Sequence, residues 1–327
     1  MSTEDVSFIF SKIIISGIIS TIISFLIIRK NKYFKFINRS ELRINNNKEI
    51  LRFGGLSIFI SFFTTFFIII NYGELANQLE NFSNRNILLF SSFLFFIIGF
   101  LDDIVALPPI PRLLGQILIS VITWLGGLKL FAYQLPIFGQ FLEGLPISPI
   151  ISLLITMIWI VGITNAYNWI DGLDGLAAGI SIFSLFGFLF LGLSAENIFI
   201  VLVSSILLGS SVGFLYHNFY PAKIYMGDSG SYFLGSIISL LAITLMNDKS
   251  YEGSLLSPLI ILSIPILDMS SVIFKRIWES RSPFYPDRSH LHHKLIDLGF
   301  SHRKSVLFIY TLNAIIVLLF LIISNSR

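Results

Sequence analysis

Four segments of the sequence combine acidic side chains with other groups that could do chemistry, and the first of them contains an adjacent pair of aspartates. The segment GFLDDIVALPPIPRLLGQ sets Asp102 beside Asp103, and no basic residue follows before Arg112. Two adjacent carboxylates next to an apolar, low-dielectric segment repel each other and resist ionisation. A bound divalent cation, or its complex with a polyphosphate, would relieve this repulsion. A solvated helix end is the alternative explanation of the pair by itself.

The second segment, NAYNWIDGLDGLA, has the most regular spacing of oxygen-bearing side chains. Asn165 and Asn168 are about one helical turn apart, and Asp171 and Asp174 follow them with Gly172 in between. Glycine permits a tight turn at a helix end. Carboxylate and amide oxygens are the hard ligands that Mg²⁺ prefers, although the spacing is not that of an EF-hand. Capping of a helix end explains one of these residues but not all of them, so the segment predicts a Mg²⁺ site.

The third segment, HNFYPAKIYMGDSGSYFLG, surrounds one carboxylate with small residues. Asp228 lies between Gly227 and Ser229, and Lys223 precedes them. Small residues allow backbone N–H groups to approach an anion. Asp228 would then bind a metal whose other ligands are diphosphate oxygens, and Lys223 would contact a phosphate. A glycine- and serine-rich turn capped by an aspartate is the simpler explanation of this segment in isolation.

The fourth segment, SPFYPDRSHLHHKL, combines histidines with both signs of charge. Its candidate binding residues are Asp287, Arg288, His290, His292 and His293. Three histidines without cysteine and without helical spacing are a weak indication of zinc. Arginine and histidine together favour phosphate recognition, and a basic loop attracted to anionic lipid is the alternative. The other histidines, His217 and His302, stand apart, and we expect them to be structural.

The elements that must position these segments are membrane helices. Of the 327 residues, 54% are hydrophobic and only 13% are charged, and the mean hydropathy is +0.82. Soluble domains carry about 25% charged residues. The net charge of +3 is too small to indicate a nucleic-acid partner, and the chain has no cysteine. The lipid bilayer is therefore the predicted surrounding.

Apolar stretches run from end to end, so we predict one membrane domain over 1–327. It is an all-α, polytopic bundle of about ten transmembrane helices, each needing roughly 20 mostly apolar residues. The acidic N-terminus predicts a first spanning helix in place of a cleaved signal peptide. The predicted helices cover 6–28, 54–71, 87–101, 113–131, 147–163, 176–193, 198–216, 232–246, 256–277 and 306–323.

The charge distribution predicts the orientation of this bundle. Most of the 22 basic residues lie in the connections that follow odd-numbered helices. Cytoplasmic connections carry an excess of lysine and arginine. We therefore expect both termini outside, and all four chemistry-bearing segments together on the cytoplasmic face.

The four segments, taken in order, resemble one known family. NAYNWIDGLDGLA, the Asp102–Asp103 pair at a helix end, PAKIYMGDSGS and the HLHH loop are similar to the polyprenyl-phosphate N-acetylhexosamine-1-phosphate transferases of glycosyltransferase family 4. This family includes the phospho-N-acetylmuramoyl-pentapeptide transferases and the N-acetylglucosamine-1-phosphate transferases. The resemblance covers most of the chain, from residue 54 to residue 294. The DRSHLHH pattern is closer to the undecaprenyl-phosphate N-acetylglucosamine-1-phosphate transferase branch.

The resemblance implies a Mg²⁺-dependent reaction, for which Mn²⁺ is an expected substitute. The phosphate of undecaprenyl phosphate attacks the β-phosphate of a UDP-N-acetylhexosamine and releases UMP, in the first membrane step of cell-wall or surface polysaccharide synthesis. The expected location is a bacterial inner membrane, with the site facing the cytoplasm. A phosphate nucleophile is largely ionised near neutral pH, so Asp102 is expected to orient it even where no general base is needed.

The resemblance also implies roles for single residues. Asn168 and Asp228 are the expected metal ligands. Four carboxylates are expected at the reaction centre: Asp102, Asp103, Asp171 and Asp174. The expected substrate-binding residues are Asn165, Lys223, Asp287, Arg288, His290, His292 and His293.

One departure from the family pattern and several alternatives remain. The stretch NNNKEILRFGG lacks the histidine and the proline-rich sequence that often precede the second helix, which puts a substrate-binding role of the first loop in doubt. The alternative enzyme is a phospho-N-acetylmuramoyl-pentapeptide transferase. A secondary transporter is the alternative from another class, but transporters place ionisable residues near the membrane midplane and often contain repeats. A homodimer is left open.

Overall fold

The computed structural model describes residues 3–30, 44–45, 48–72, 82, 84–136, 148–251, 253–282 and 289–325. Asp287 and Arg288 of the fourth segment lie outside the described residues. The helices are α1 (Thr3–Arg29), α2 (Gly54–Tyr72), α3 (Arg85–Val105), α4 (Pro109–Leu125), α5 (Pro149–Ile170), α6 (Leu176–Ser194), α7 (Ile198–Asn218), α8 (Gly227–Met246), α9 (Leu256–Ile261), α10 (Ser263–Trp278), α11 (Leu291–Asp297) and α12 (His302–Asn325). A short 3-10 helix covers Ala132–Gln134, and strands β1 (Ile44–Asn45) and β2 (Lys48–Glu49) pair in antiparallel register.

The predicted polytopic membrane bundle is confirmed. Within the described ranges, 8 helices are long and apolar enough to cross a membrane: α1, α2, α3, α5, α6, α7, α8 and α12. The helix α4 is apolar but has only 17 residues. Each of the ten predicted segments corresponds to helix, but the fourth is short and the ninth is not continuous.

The ninth predicted helix is broken by a proline. The prediction ran without interruption over 256–277, whereas α9 ends at Ile261 and α10 begins at Ser263. Pro265 has no N–H group to donate to the carbonyl of Ile261, and its ring crowds that carbonyl. The hydrogen-bond pattern resumes at once, since the Ile266 N–H donates to the Leu262 carbonyl at 3.1 Å. The helices α9 and α10 are therefore separated by Leu262 alone.

Other predicted helices are longer than hydropathy indicated. The helix α3 continues to Val105 and α5 continues to Ile170, whereas α8 begins at Gly227. The prediction stopped where polar residues lower the mean hydropathy, but these residues remain helical. As a result, most of the chemistry-bearing carboxylates and amides lie on helix ends, not in loops.

Polar and apolar side chains are distributed as a bilayer requires. Ser16, Ser20 and Ser24 of α1 are fully buried, whereas large side chains such as Ile18 and Phe25 on the same helix are more than half exposed. Small polar residues suit close helix–helix packing in a membrane, where lipid tails cover the apolar outer surface. The arrangement supports assignment of α1 to the membrane.

The helix α8 forms the centre of the bundle. All its side chains from Ser229 to Met246 are buried, and it packs against α2, α3, α5 and α6. Two glycines allow its first turn to lie close to its neighbours. A Cβ atom at Gly99 would collide with the backbone of Asp228 and Ser229, and one at Gly55 would collide with the backbone of Gly230. These contacts hold the start of α8 against the end of α3.

Candidate active site

A polar cavity of about 730 Å³ lies where α5 ends and α8 begins. This volume is within the range of about 300–1,000 Å³ that small-molecule sites occupy. The cavity is lined by Arg52, Asn168, Trp169, Asp171, Gly172, Leu173, Asp174, Asn218, Tyr225, Gly227, Asp228, His290, His292, His293 and His302. Three of the four predicted segments therefore meet around one space.

The turn after α5 is built against three other helices. Gly175 adopts a φ of +81°, which favours glycine. Its N–H donates to the Asn218 side chain at 3.0 Å, and its carbonyl accepts the Tyr310 hydroxyl at 2.5 Å. A Cβ atom at Gly172 would collide with the His292 imidazole. The glycines of NAYNWIDGLDGLA thus fix the turn on α7 and α12 and leave room for a histidine.

Asn168 and Asp228, the predicted metal ligands, lie side by side. The Asn168 amide nitrogen donates to Asp228 Oδ1 at 2.5 Å and to the Ser231 hydroxyl at 3.0 Å. Because these donations use the amide nitrogen, the carbonyl oxygen is the atom with which Asn168 would bind a cation. The structure brings the pair together, and its metal-binding role stays a prediction.

Asp103 holds the first turn of α8. Its two carboxylate oxygens accept the backbone N–H groups of Asp228 and Ser229 at 2.7 and 2.9 Å. A carboxylate at a helix N-terminus satisfies N–H groups that have no partner within the helix and interacts favourably with the helix dipole. Asp103 is 1% exposed and is not part of the cavity lining. Its position is that of a support for Asp228.

Asp102 lies on the side of the cluster that faces α4. Its carboxylate forms an ion pair with Arg112 and accepts the Leu107 N–H at 2.7 Å. The Arg112 guanidinium carbon is 6.0 Å from the centre of the Tyr232 ring, and the Asp102 carboxylate neighbours that of Asp228. Asp102 therefore stands behind Asp228 and outside the cavity lining.

The donor set suits a cation that also binds a substrate. Within the described parts of the chain, no three Asp, Glu, His or Cys side chains are grouped as a metal site. Mg²⁺ is usually bound by one or two carboxylates together with substrate phosphate oxygens, not by a cage of protein ligands. Asp228, with Asn168 beside it and two further carboxylates behind it, fits that mode of binding.

Asp171 and Asp174 differ in what they contact. Asp171 caps the end of α5 and lines the cavity. Asp174 is 7% exposed, and its carboxylate accepts the Ala222 N–H at 3.0 Å. The backbone N–H of Asp174 donates to His302 Nε2 at 2.9 Å. Asp174 therefore ties the second segment to the third and to α12.

The three histidines of the fourth segment stand in a row along the cavity. The ring centres of His290 and His292 are 5.5 Å apart, with 14° between the ring planes, and those of His292 and His293 are 4.3 Å apart. Trp169 meets the His290 ring edge-on at 5.9 Å. His290 Nδ1 is 2.8 Å from a carboxylate oxygen of Asp268.

Two predicted substrate-binding residues are not part of the cavity lining. The Asn165 amide donates to the Gln116 side chain at 2.6 Å and to the Val161 carbonyl at 2.8 Å. Lys223 is exposed, and its backbone N–H donates to the His217 carbonyl at 2.9 Å. Asn165 joins α5 to α4, so the spacing of the two asparagines does not bring both into the cavity.

Comparison with known proteins identifies the family. A family model described as glycosyl transferase family 4 matches residues 86–246, which extend from α3 to the end of α8. A probable undecaprenyl-phosphate N-acetylglucosaminyl 1-phosphate transferase of Bacillus subtilis strain 168 is 34% identical over 271 residues, which are 83% of this chain and 72% of the relative. The chain belongs to glycosyl transferase family 4.

Two further relatives support the same branch of family 4. The decaprenyl-phosphate N-acetylglucosaminephosphotransferase of Mycobacterium leprae is 32% identical over 278 residues, which are 79% of this chain and 69% of the relative. The undecaprenyl-phosphate alpha-N-acetylglucosaminyl 1-phosphate transferase of Haemophilus influenzae is 33% identical over 93 residues, 28% of this chain and 26% of the relative. The predicted family and branch are thereby confirmed.

Sequence reasoning missed several residues at the site of this family 4 member. Arg52 lines the cavity, although the sequence put a substrate-binding role of the first loop in doubt. The signal that could have indicated it is its position two residues before the glycine pair that opens α2. His302, expected to be structural, holds the Asp174 backbone but also lines the cavity. Asp268 was passed over, although a carboxylate inside an apolar helix is itself an indication of function.

Proposed function

We propose that this protein transfers N-acetylglucosamine-1-phosphate from UDP-N-acetylglucosamine to a polyprenyl phosphate and releases UMP. The observation that carries the proposal is the Asn168–Asp228 pair at 2.5 Å in the wall of a cavity that three histidines also line. A hard-ligand pair that shares a cavity with groups that bind phosphate suits a nucleoside diphosphate. The membrane bundle around the pair suits a lipid acceptor.

The transfer breaks one bond and forms one. An oxygen of the polyprenyl phosphate attacks the β-phosphorus of the UDP-sugar, and the bond from that phosphorus to the bridging oxygen breaks. UMP leaves with the electron pair of that bond, and a lipid diphosphate sugar remains. Phosphoryl transfer depends on positioning and on charge stabilisation more than on covalent catalysis by the protein.

Asn168 and Asp228 would hold Mg²⁺ or Mn²⁺, which neutralises phosphate charge when bound. Arg52 and the histidines His290, His292 and His293 line the same cavity and offer donors to phosphate oxygens. Asp102 pairs with Arg112 next to Asp228, and we assign it the orientation of the acceptor phosphate. Asp103 and Asp174 act indirectly, by holding the backbone of α8 and of the turn after α5.

The names of the three relatives support N-acetylglucosamine as the sugar, since each contains it and none contains a muramoyl-pentapeptide. The segment that contains Asn168 and the segment that contains Asp228 both lie within the residues that match the family model. We further propose a bacterial plasma-membrane location with the cavity facing the cytoplasm, because most basic residues lie in the connections on that side.

The deciding experiment uses purified full-length protein with undecaprenyl phosphate and Mg²⁺. UMP release is measured with UDP-N-acetylglucosamine, UDP-N-acetylgalactosamine and UDP-N-acetylmuramoyl-pentapeptide under identical conditions. We expect fastest release with UDP-N-acetylglucosamine and none without the lipid. Turnover of the pentapeptide donor alone would overturn the choice of sugar, and no lipid-dependent UMP from any of the three would overturn the proposed reaction.

A further inference from the structure

The carboxylate of Asp268 is enclosed within α10 and points at the histidine segment. Its side chain is 3% exposed. One carboxylate oxygen accepts the Leu291 N–H at 2.7 Å, and the other is 2.8 Å from His290 Nδ1. The two oxygens therefore contact two consecutive residues at the start of α11, one oxygen each. None of the transfer steps described above assigns a role to Asp268.

These contacts determine which nitrogen of His290 carries a proton. An ionised carboxylate can only accept hydrogen bonds, so the Nδ1 atom must be the donor. The Nε2 atom is then the nitrogen with which His290 can serve the cavity that it lines. Burial of a carboxylate is unfavourable unless an opposite charge or several donors compensate it. The Leu291 N–H and the His290 Nδ1–H are the two donors that compensate the buried Asp268 carboxylate, so this carboxylate fixes the orientation of the ring.

Neighbouring rings fix the plane of the His290 imidazole. Trp169 meets it at 85° between ring planes, and His292 stacks on it at 14°. The guanidinium carbon of Arg276, which is 4% exposed, lies 5.0 Å from the centre of the Trp169 ring. Lys275 Nζ donates to the Ser289 hydroxyl at 2.7 Å and so holds the residue before His290. The helix α10 thus supports the histidine through three separate contacts.

We propose that Asp268 is a positioning residue that holds His290 with Nδ1 protonated and keeps its Nε2 atom directed into the cavity, toward the nucleoside diphosphate. The inference rests on the proposed function, because it names the group that the histidine serves. It adds to the residues needed for activity one that is not part of the cavity lining. Asp268 itself touches no substrate and acts only through His290.

The substitution Asp268→Asn tests the inference with little change of shape. An asparagine keeps one oxygen for the Leu291 N–H, but its amide nitrogen then faces His290 Nδ1 as a donor. His290 must then accept at Nδ1 and carry its proton on Nε2, so the hydrogen-bonding role of the nitrogen that faces the cavity changes. We expect kcat/KM for the UDP-sugar to fall about 10- to 100-fold, the effect typical of a partner that orients a functional histidine. KM for the polyprenyl phosphate should stay unchanged.

A matched control is Asp248→Asn. Asp248 also accepts two hydrogen bonds, from the Asn197 side chain and, at 2.9 Å, from the Ser250 N–H, and it is not part of the cavity. The Asp248→Asn substitution should leave kcat/KM for the UDP-sugar unchanged.

In a His290→Gln background, Asp268→Asn should cause little further loss of activity, because the effects of residues that act through one another are not additive. Asp268→Glu, which keeps the charge, should recover part of the activity.

A spectroscopic measurement separates this inference from the proposed function. In protein labelled with ¹⁵N-histidine, the signals lost in His290→Gln identify His290, and they should indicate a protonated Nδ1 in the wild type and an unprotonated Nδ1 in Asp268→Asn. This result would support the pair even if no UDP-sugar were turned over. Unchanged His290 signals in Asp268→Asn would overturn it, as would an equal loss of activity from Asp268→Asn with and without His290.

Discussion

Asp103 on α3 accepts two consecutive backbone N–H groups of α8, those of Asp228 and Ser229, at 2.7 and 2.9 Å. The adjacent aspartates of the first segment therefore have different surroundings. Asp102 pairs with Arg112, whereas Asp103 fixes the backbone of the predicted metal ligand. The position of Asp228 consequently depends on a residue that is more than a hundred positions away in the sequence.

The first prediction concerns Asp103→Asn. The amide can accept only one of the two N–H groups, and its own N–H atoms would face the other. An unsatisfied buried donor costs about 1–3 kcal/mol, so we expect lower thermal stability in detergent and a loss of most UMP release. Asp248→Asn should retain full activity. Wild-type stability together with wild-type turnover in Asp103→Asn would contradict the supporting role.

Hydropathy and oxygen-bearing side chains were enough to predict the bundle and the segments that meet. The spacing around Asn168 and the small residues around Asp228 indicated a site, and these two side chains are in contact. The roles of Asp103 and Asp174 could not be read from the sequence, because each depends on a backbone N–H group supplied by a distant segment. No local pattern encodes that partner.

Averaging over a window explains what was overlooked in the ninth helix. A single carboxylate, Asp268, hardly lowers the mean hydropathy of its apolar surroundings. Pro265 was visible, but proline is tolerated in membrane helices when neighbours satisfy the freed carbonyl, so it did not by itself predict two helices. The helix that begins after the break, α10, is the one that carries Asp268 and holds it against His290.

The second prediction concerns Asp228 and the cation. Asp228→Asn should insert and fold, because an amide retains an oxygen for the Asn168 amide. It should lose most activity, since a neutral amide binds Mg²⁺ more weakly than a carboxylate does. Chelation should silence the wild type, and added Mn²⁺ should restore part of its UMP release. Near-normal turnover of Asp228→Asn would remove this residue from the metal site.

The third prediction concerns orientation and uses the absence of cysteine from the sequence. Single cysteines are introduced at Ser282, after α10, and at Ser324, near the end of α12, both of which are exposed. A helix of 24 residues such as α12 is about 36 Å long and can cross a bilayer. In intact cells, a membrane-impermeant maleimide should label Ser324→Cys but not Ser282→Cys. Equal labelling of both would contradict the proposed topology.

The last prediction isolates the contact between the turn after α5 and the histidine row. A Cβ atom at Gly172 would collide with the His292 imidazole, and the backbone of Gly172 does not have the positive φ that excludes alanine. Gly172→Ala should therefore displace His292 without straining the turn. We expect UMP release to fall while insertion and thermal stability are retained. The matched control is Gly162→Ala on α5, where an added Cβ meets no atom within 4 Å.

Since alanine is favoured over glycine in a helix by about 1 kcal/mol, Gly162→Ala should be as active as the wild type and equally or more stable. A second test removes the colliding ring. In a His292→Ala background, the added methyl group of Gly172→Ala has nothing to displace, so it should cause no further loss of UMP release. Full activity of Gly172→Ala together with lost activity of His292→Ala would contradict this prediction, because activity would then need the His292 ring but not its position against Gly172.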